Sequence, residues 1–264
     1  MSARHAFALA FDLAVRRDAL ASLVVPLLLR APFILVPALI RPLDHPNAPR
    51  GLYLLSGSCL IVDYLLWLLT SSMMRFRARS VFNTPPEVHP EPAGSCYAQA
   101  ARRMPWLVVT EFVRNIVIFL ATFFFVLPGF YLGFRLSCAT ESVVLDAPNL
   151  DRAFRRSFSL TDGRFERWME MTTISAVVGL GLILVMTLVA LIFPQPGYST
   201  WFAITQVLLV LVTTVIQYAW TFFYLRLVEI EEPIVEEGPI LADRVPHLRV
   251  VEPEDDEAGG KANA

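Results

Sequence analysis

Five stretches of this chain, residues 19–40, 51–72, 105–127, 168–193 and 201–225, are almost wholly apolar. Each reaches the ~20 residues that carry an α-helix across ~30 Å of hydrocarbon at ~1.5 Å per residue. Lipid offers no partner to an open sheet edge, so spanning segments of this kind are expected as helices. Composition agrees: 55% of the 264 residues are hydrophobic and 17% charged, with a mean hydropathy of +0.54, where soluble domains carry ~25% charge. A disordered chain, a disulfide scaffold and most soluble enzymes are thereby excluded. The expectation is an all-α integral membrane protein. The first block is not read as a signal peptide, because it follows an 18-residue leader, has Arg30 at its centre and ends in Arg41-Pro42.

Five spans give a poor charge distribution. With the N-terminus inside, residues 128–167 would lie outside while holding six arginines, against the positive-inside rule. Residues 130–147 are again mostly apolar, and Pro128-Gly129 just before them reads as a chain break, so this segment is taken as a short fourth span that returns inside. Inside segments then hold Arg4, Arg16, Arg17, Arg75, Arg77, Arg79, Arg102, Arg103, Arg152, Arg155, Arg156, Arg164, Arg167 and four cations of the tail. Outside segments hold only Arg41 and Arg50. Six spans with both termini cytoplasmic follow. Near-exclusive use of arginine over lysine, with abundant alanine and proline, fits a GC-rich bacterial genome and hence a bacterial inner membrane.

The remaining segments are expected to be simple. Residues 1–18 form a cytoplasmic leader, and residues 73–104, with Pro85, Pro86, Pro90 and Pro92, an extended loop. The stretch 226–264 carries 11 acidic against 4 basic residues and reads as an acidic disordered tail. No soluble catalytic domain is expected at either end. Cys59, Cys96 and Cys138 form no CxxC or even-numbered framework, which argues against disulfides and zinc. No His lies in a span, and there is no Gly-x-Ser-x-Gly, His-Glu-x-x-His, P-loop or Gly-x-Gly-x-x-Gly. No catalytic residue, metal site or cofactor is expected, nor nucleic-acid binding, since the basic residues hug the membrane face.

Ionisable residues inside hydrocarbon are expensive and should be paired or face a cavity. Arg30 and Asp63 sit near mid-span in the first two blocks and form the expected ion pair. Arg114 and Glu141 lie at comparable depth in the third and fourth spans and are expected to pair across the Pro128-Gly129 hairpin. Glu111 can reach Arg114 or Asn115 on its own helix, and Arg135 lies deep in the fourth span. In the sixth span Gln206, Thr213, Gln217 and Thr221 recur at helical spacing as a polar stripe. Thr172, Ser175, Ala176, Gly179 and Gly181 give the fifth a small-residue face suited to close packing, and Gly129-x-x-x-Gly133 offers another contact. These groups either fix helix packing or line a substrate or proton pathway.

Residues 149–162 read as an amphipathic helix at the inner interface. Asn149 is its N-cap, and Leu150, Phe154, Ser157, Phe158 and Thr161 share one face. Asp162-Gly163 is its stop, and Arg152, Arg155 and Arg156 occupy the other faces, with Arg164 and Arg167 beyond. These five arginines anchor the fold to anionic headgroups, form a specific lipid-phosphate site, or dock a partner.

The same region carries a resemblance. A Pro128-Gly129-aromatic start to a short span containing Arg135 precedes Ala153-x-x-x-Ser157-x-x-Leu160-Thr161-x-Gly163-x-Phe165. The pair resembles the bacterial polytopic family called the glycerophosphoryl diester phosphodiesterase membrane domain, over about 40 residues, with a looser likeness in the six-span layout. The resemblance implies a six-helix membrane fold and an association with membrane-lipid metabolism. The catalytic domain fused to some relatives has no counterpart here, with neither its His-Arg-Gly opening nor its paired-carboxylate metal set. The functional expectation is a non-enzymatic inner-membrane protein with a lipid- or envelope-related binding or scaffold role. Its partners would be membrane lipids, anionic headgroups among them, with a membrane protein or a second copy as further candidates. The alternative is a small transporter or permease subunit with a charged cavity.

Overall fold

The computed structural model describes residues 3–15, 20–40, 49–82, 91–146, 148–193 and 198–231. These are helical throughout apart from turns and caps: α1 (Ala3–Val15), α2 (Leu20–Ile40), α3 (Arg50–Phe82), α4 (Ala93–Phe124), α5 (Val126–Arg135), α6 (Ala139–Leu145), α7 (Leu150–Thr161), α8 (Phe165–Ile192) and α9 (Tyr198–Glu231). Residues 1–228 form one compact unit. A second begins at Glu229, and of it only the last three residues of α9 are described. Four helices are long and apolar enough to cross a membrane: α3, α4, α8 and the Thr200–Glu231 part of α9. In α2 the corresponding apolar stretch is Leu23–Pro37, with Pro26, Pro32 and Pro37 all inside a continuous helix. Arg16, Arg17, Arg41, Pro85, Pro86, Pro90, the 194–197 linker and the tail from 232 onward lie outside the described residues.

Helix boundaries differ from the apolar blocks in ways that have physical causes. The expected loop 73–104 is largely helical. Between Met73 and Phe82 there is neither Gly nor Pro, and this part of α3 is enclosed by the fold, with Met73, Met74, Arg75, Arg77 and Ala78 all buried. At the other end, Pro92 occupies the N-cap of α4, and Ser95 Oγ donates to its carbonyl at 2.8 Å. Pro105, the first residue of the third apolar block, therefore sits inside a helix that is already under way. The expected leader contains α1, whose Ala3, Ala6, Ala10 and Leu13 recur at helical spacing and join the main core.

The chain reverses at Phe125 (φ −153°, ψ 125°), three residues before the expected break. Pro128 belongs to the first turn of α5, where a missing N–H costs nothing. Gly129 has another purpose. A Cβ there would stand 2.0 Å from Thr122 Oγ1 and 2.6 Å from Thr122 Cα, so α4 and α5 touch backbone to backbone. The fourth span expected over 130–147 is not one helix: α5 ends at Arg135, residues 136–138 form a turn, and α6 follows with all seven residues buried. Ser157 of α7 makes this break possible, donating to the Arg135 carbonyl at 2.6 Å and accepting from the Cys138 N–H at 3.2 Å.

Helix α7 begins at the expected cap, Asn149 accepting from the Arg152 N–H at 3.3 Å. It ends at Asp162, where Gly163 takes φ 64°. Its buried face is centred on Ala153, Ser157, Leu160 and Thr161, with Leu150, Phe154 and Phe158 half-buried at its edges. The small-residue face of α8 does not serve close packing within the chain. A Cβ at Gly179, Gly181 or Gly133 would meet nothing within 4 Å, and Ala176 is exposed.

Gly129→Ala is expected to lower stability by about 1–3 kcal/mol through overpacking against Thr122, whereas Gly133→Ala should be neutral. Thermal unfolding of the two variants in detergent checks the contrast. Equal shifts would mean that the α4–α5 contact is not limiting.

Candidate functional site

Among the described residues, two sets of paired charges stand out in the helical body. In the first, Arg30 of α2 grips Asp63 of α3, with Nε on Oδ1 at 2.8 Å and Nη2 on Oδ2 at 3.0 Å. The two side chains are 12% and 18% exposed, so the bidentate contact is largely shielded from solvent.

The second set centres on Glu141. It sits in α6, which is too short to shield a charge itself, and its carboxylate draws donors from three directions. Arg75 of α3 donates from Nε and Nη2 at 3.3 Å each, Gln217 of α9 from Nε2 at 3.3 Å, and Thr140 from its hydroxyl at 2.9 Å. Arg75 also donates to Ser71 Oγ at 3.3 Å, one turn back on α3. Arg114 does not reach Glu141 as expected. Its length is spent on Glu111 at 2.6 Å, with longer bonds to Asn115 and to Thr140 Oγ1 at 3.4 Å. The last contact joins the Glu111–Arg114 pair to the Glu141 cluster, so two arginines face two glutamates in one connected network. Below it, Tyr224 of α9 donates to Asp146, and Arg79 to the Leu145 carbonyl.

Arg135 belongs to neither set. As the last residue of α5 it is largely shielded, pairing with the largely exposed Asp162 at 2.9 Å and lying over the Phe158 ring at 4.9 Å. A cavity converging on Arg30, Asp63, Arg135 and Gln217 is therefore not what the structure forms. Arg30 and Gln217 do line one crevice between α2, α3 and α9, together with Thr70, Ser71, Thr213 and Thr214. It encloses about 220 Å³ with its open mouth included. The α9 stripe meets different neighbours at different depths. Gln206 faces α8, Thr213 and Gln217 face the crevice, and Thr221 is fully buried.

Around α7, Arg155 is tied to Asp151 at 2.8 Å, one helical turn away, and both are exposed. Arg156 is half-buried, and Arg164 donates to the carbonyls of Leu160 and Leu227. Arg152 and Arg167 are exposed, and their guanidinium groups have no partner among the described residues. Arg75, Ser71 and Thr140 were not singled out from the sequence. The signal for Arg75 was the uninterrupted helical register that runs on from Ser71. Among the described residues no three His, Cys, Asp or Glu side chains gather as a metal site.

Arg30→Ala and Asp63→Ala should each cost about 3 kcal/mol, because each strands a shielded partner charge. The double variant should lose less than the sum of the two. A double-mutant cycle followed by thermal unfolding measures this coupling, and strictly additive losses would assign each charge a different principal partner. No protein-family model matches this chain, and neither the curated proteins nor the solved structures give a match.

Proposed function

We propose that this chain is a non-enzymatic protein of the bacterial inner membrane that binds lipid and serves as a scaffold there. The observation that carries this reading is how the charges divide. Among the described residues, Arg30 is paired with Asp63, and Arg75 and Arg114 are paired with Glu141 and Glu111, so these shielded charges are engaged with one another. Arg152 and Arg167 instead stand exposed, without partners among the described residues, on and beside an amphipathic helix. Guanidinium groups so presented suit lipid phosphates. The likeness of the 128–165 segment to the glycerophosphoryl diester phosphodiesterase membrane domain supports the same lipid setting.

In this proposal the chain crosses six times with both termini cytoplasmic. The fourth crossing is the broken α5–α6 unit, whose helices of 10 and 7 residues rise about 15 Å and about 10 Å. Irregular backbone at that depth is tolerable where it is buried in protein, as all of α6 is. Helix α7 then lies along the inner interface.

Replacing Arg152 and Arg167 together by alanine should reduce co-purified anionic phospholipid severalfold, and Asp151→Asn, which releases Arg155, should raise it. Lipid mass spectrometry of protein extracted with native lipid reads both, and an unchanged profile in both variants would sink the headgroup role. The second reading, a small transporter or permease subunit, draws on the crevice beside Arg30. The native cysteines are buried, so introduced ones can be read with a membrane-impermeant thiol reagent. Phe193→Cys should label in intact cells, Arg152→Cys only after permeabilisation, and Thr213→Cys from neither side. Labelling of Thr213→Cys from both sides would favour transport.

A further inference from the structure

Helices α8 and α9 are bridged at two levels. Near their connection, Trp201 Nε1 donates to the Phe193 carbonyl at 2.7 Å, and far below it Trp220 Nε1 donates to Ser175 Oγ at 3.1 Å. Nineteen residues of α9 separate the two tryptophans, about 28 Å by helical rise. Between the bridges, side chains of the two helices face an opening. They line a slot of about 550 Å³, open mouth included, walled mainly by Ile183, Met186, Ala190, Phe202 and Leu209.

Three properties of the slot define what fills it. Its walls are uncharged and mostly apolar, with Thr187, Thr205, Gln206 and Trp201 as the polar members, so an uncharged occupant that is apolar along most of its length fits. It lies between two helices tied together above and below, which admits a thin flexible chain more readily than another helix ~10 Å across. One group in it is unsatisfied. Thr187 and Thr205 already donate to the Ile183 and Trp201 carbonyls at 2.8 Å, but the half-buried Gln206 amide has no hydrogen bond among the described residues. An amide left unpaired in hydrocarbon costs a few kcal/mol. Gln206 lies five residues from Trp201, about 7.5 Å deeper by rise, and Trp rings sit at the membrane–water boundary. That is the level at which a glycerolipid carries its ester carbonyls, just above its chains.

We propose that this slot holds one acyl chain of a glycerolipid, with the Gln206 amide donating to the chain's ester carbonyl. The inference rests on the lipid-binding reading but concerns a different surface. It recognises the chain and its ester, whereas Arg152 and Arg167 recognise headgroup charge.

The test reconstitutes the full chain in phosphatidylethanolamine–phosphatidylglycerol vesicles that contain a phospholipid with a photoactivatable diazirine on its acyl chain. After irradiation, adducts are mapped by mass spectrometry. They should concentrate on residues 183–190 and 201–209, above the level on the more exposed apolar surface of Phe119, Phe123 and Phe124. Ala190→Phe, which fills the slot, should remove the excess. Gln206→Leu, which keeps the volume and removes the donor, should lower it about three- to tenfold, the equivalent of one hydrogen bond. Uniform labelling of all apolar faces would overturn the proposal, as would an excess untouched by Ala190→Phe. Disulfide formation between two copies through Ala190→Cys would give the slot to a second copy instead. Anionic-lipid recovery separates the two readings, because Ala190→Phe should leave it unchanged while Arg152→Ala with Arg167→Ala should not.

Discussion

A carboxylate buried among helices must be met by donors from several of them, and Glu141 imposes that condition on this fold. Its side chain is 7% exposed and that of Arg75 is 3% exposed. An ion with so little water around it carries a desolvation cost of several kcal/mol unless charge and hydrogen bonds surround it. Arg75 supplies the charge from α3, Gln217 a bond from α9, and Thr140 a bond that leads on to Arg114 of α4. Each of these contacts fixes a helix in depth and rotation. A slip of one residue on any of them would strand a charge in the interior. The network thus sets register in a region where apolar packing alone tolerates many arrangements, because lipid and side chain are equally apolar.

The neighbouring break in the chain depends on the same placement. Helix α6 carries Glu141 and is wholly buried, so the backbone groups freed between α5 and α6 have no water to turn to. Ser157 meets two of them, and Leu160 and Ala153 seat the α7 face that brings Ser157 into position. Gly129 brings the start of α5 against α4 closely enough for α6 to reach the interior. Gly129, Ala153, Ser157, Leu160, Thr161 and Gly163 therefore have structural work in this chain. Chemistry with ligands is left to the arginines around them and to the surfaces that face lipid.

Much of this was readable in advance, and the misreadings share one cause. The Arg30–Asp63 contact followed from equal depth in two adjacent apolar helices. The N-cap at Asn149 and the stop at Asp162-Gly163 followed from local backbone chemistry. Loss of apolar character at Met73 was taken as the end of a helix, yet α3 continues, because Arg75 and Arg77 turn inward to a polar interior that hydropathy does not register. Pro105 opens the third apolar block, and Pro128 is expected to break the chain. One lies within a helix and the other in a first turn, both positions where proline costs less than in a free helix interior. Pairing Arg114 with Glu141 assumed a straight fourth helix. With the chain broken at 136–138, Glu141 turns toward α3 and α9, and Arg114 falls back on Glu111.

The sequence by itself determined that this is a helical chain with segments long and apolar enough to span a membrane, that Arg30 and Asp63 pair, and where its amphipathic segment begins and ends. These properties depend on composition, on equal depth in adjacent apolar helices and on contacts within a few residues, where 3.6-residue periodicity and capping rules hold. Tertiary structure alone decided which of the other charges meet, where the fourth apolar segment breaks, and that α8 and α9 leave a slot beside Gln206. Those outcomes depend on contacts between residues tens of positions apart, such as Arg75 with Glu141 and Ser157 with Cys138. Their distances are fixed only when every helix has taken its place.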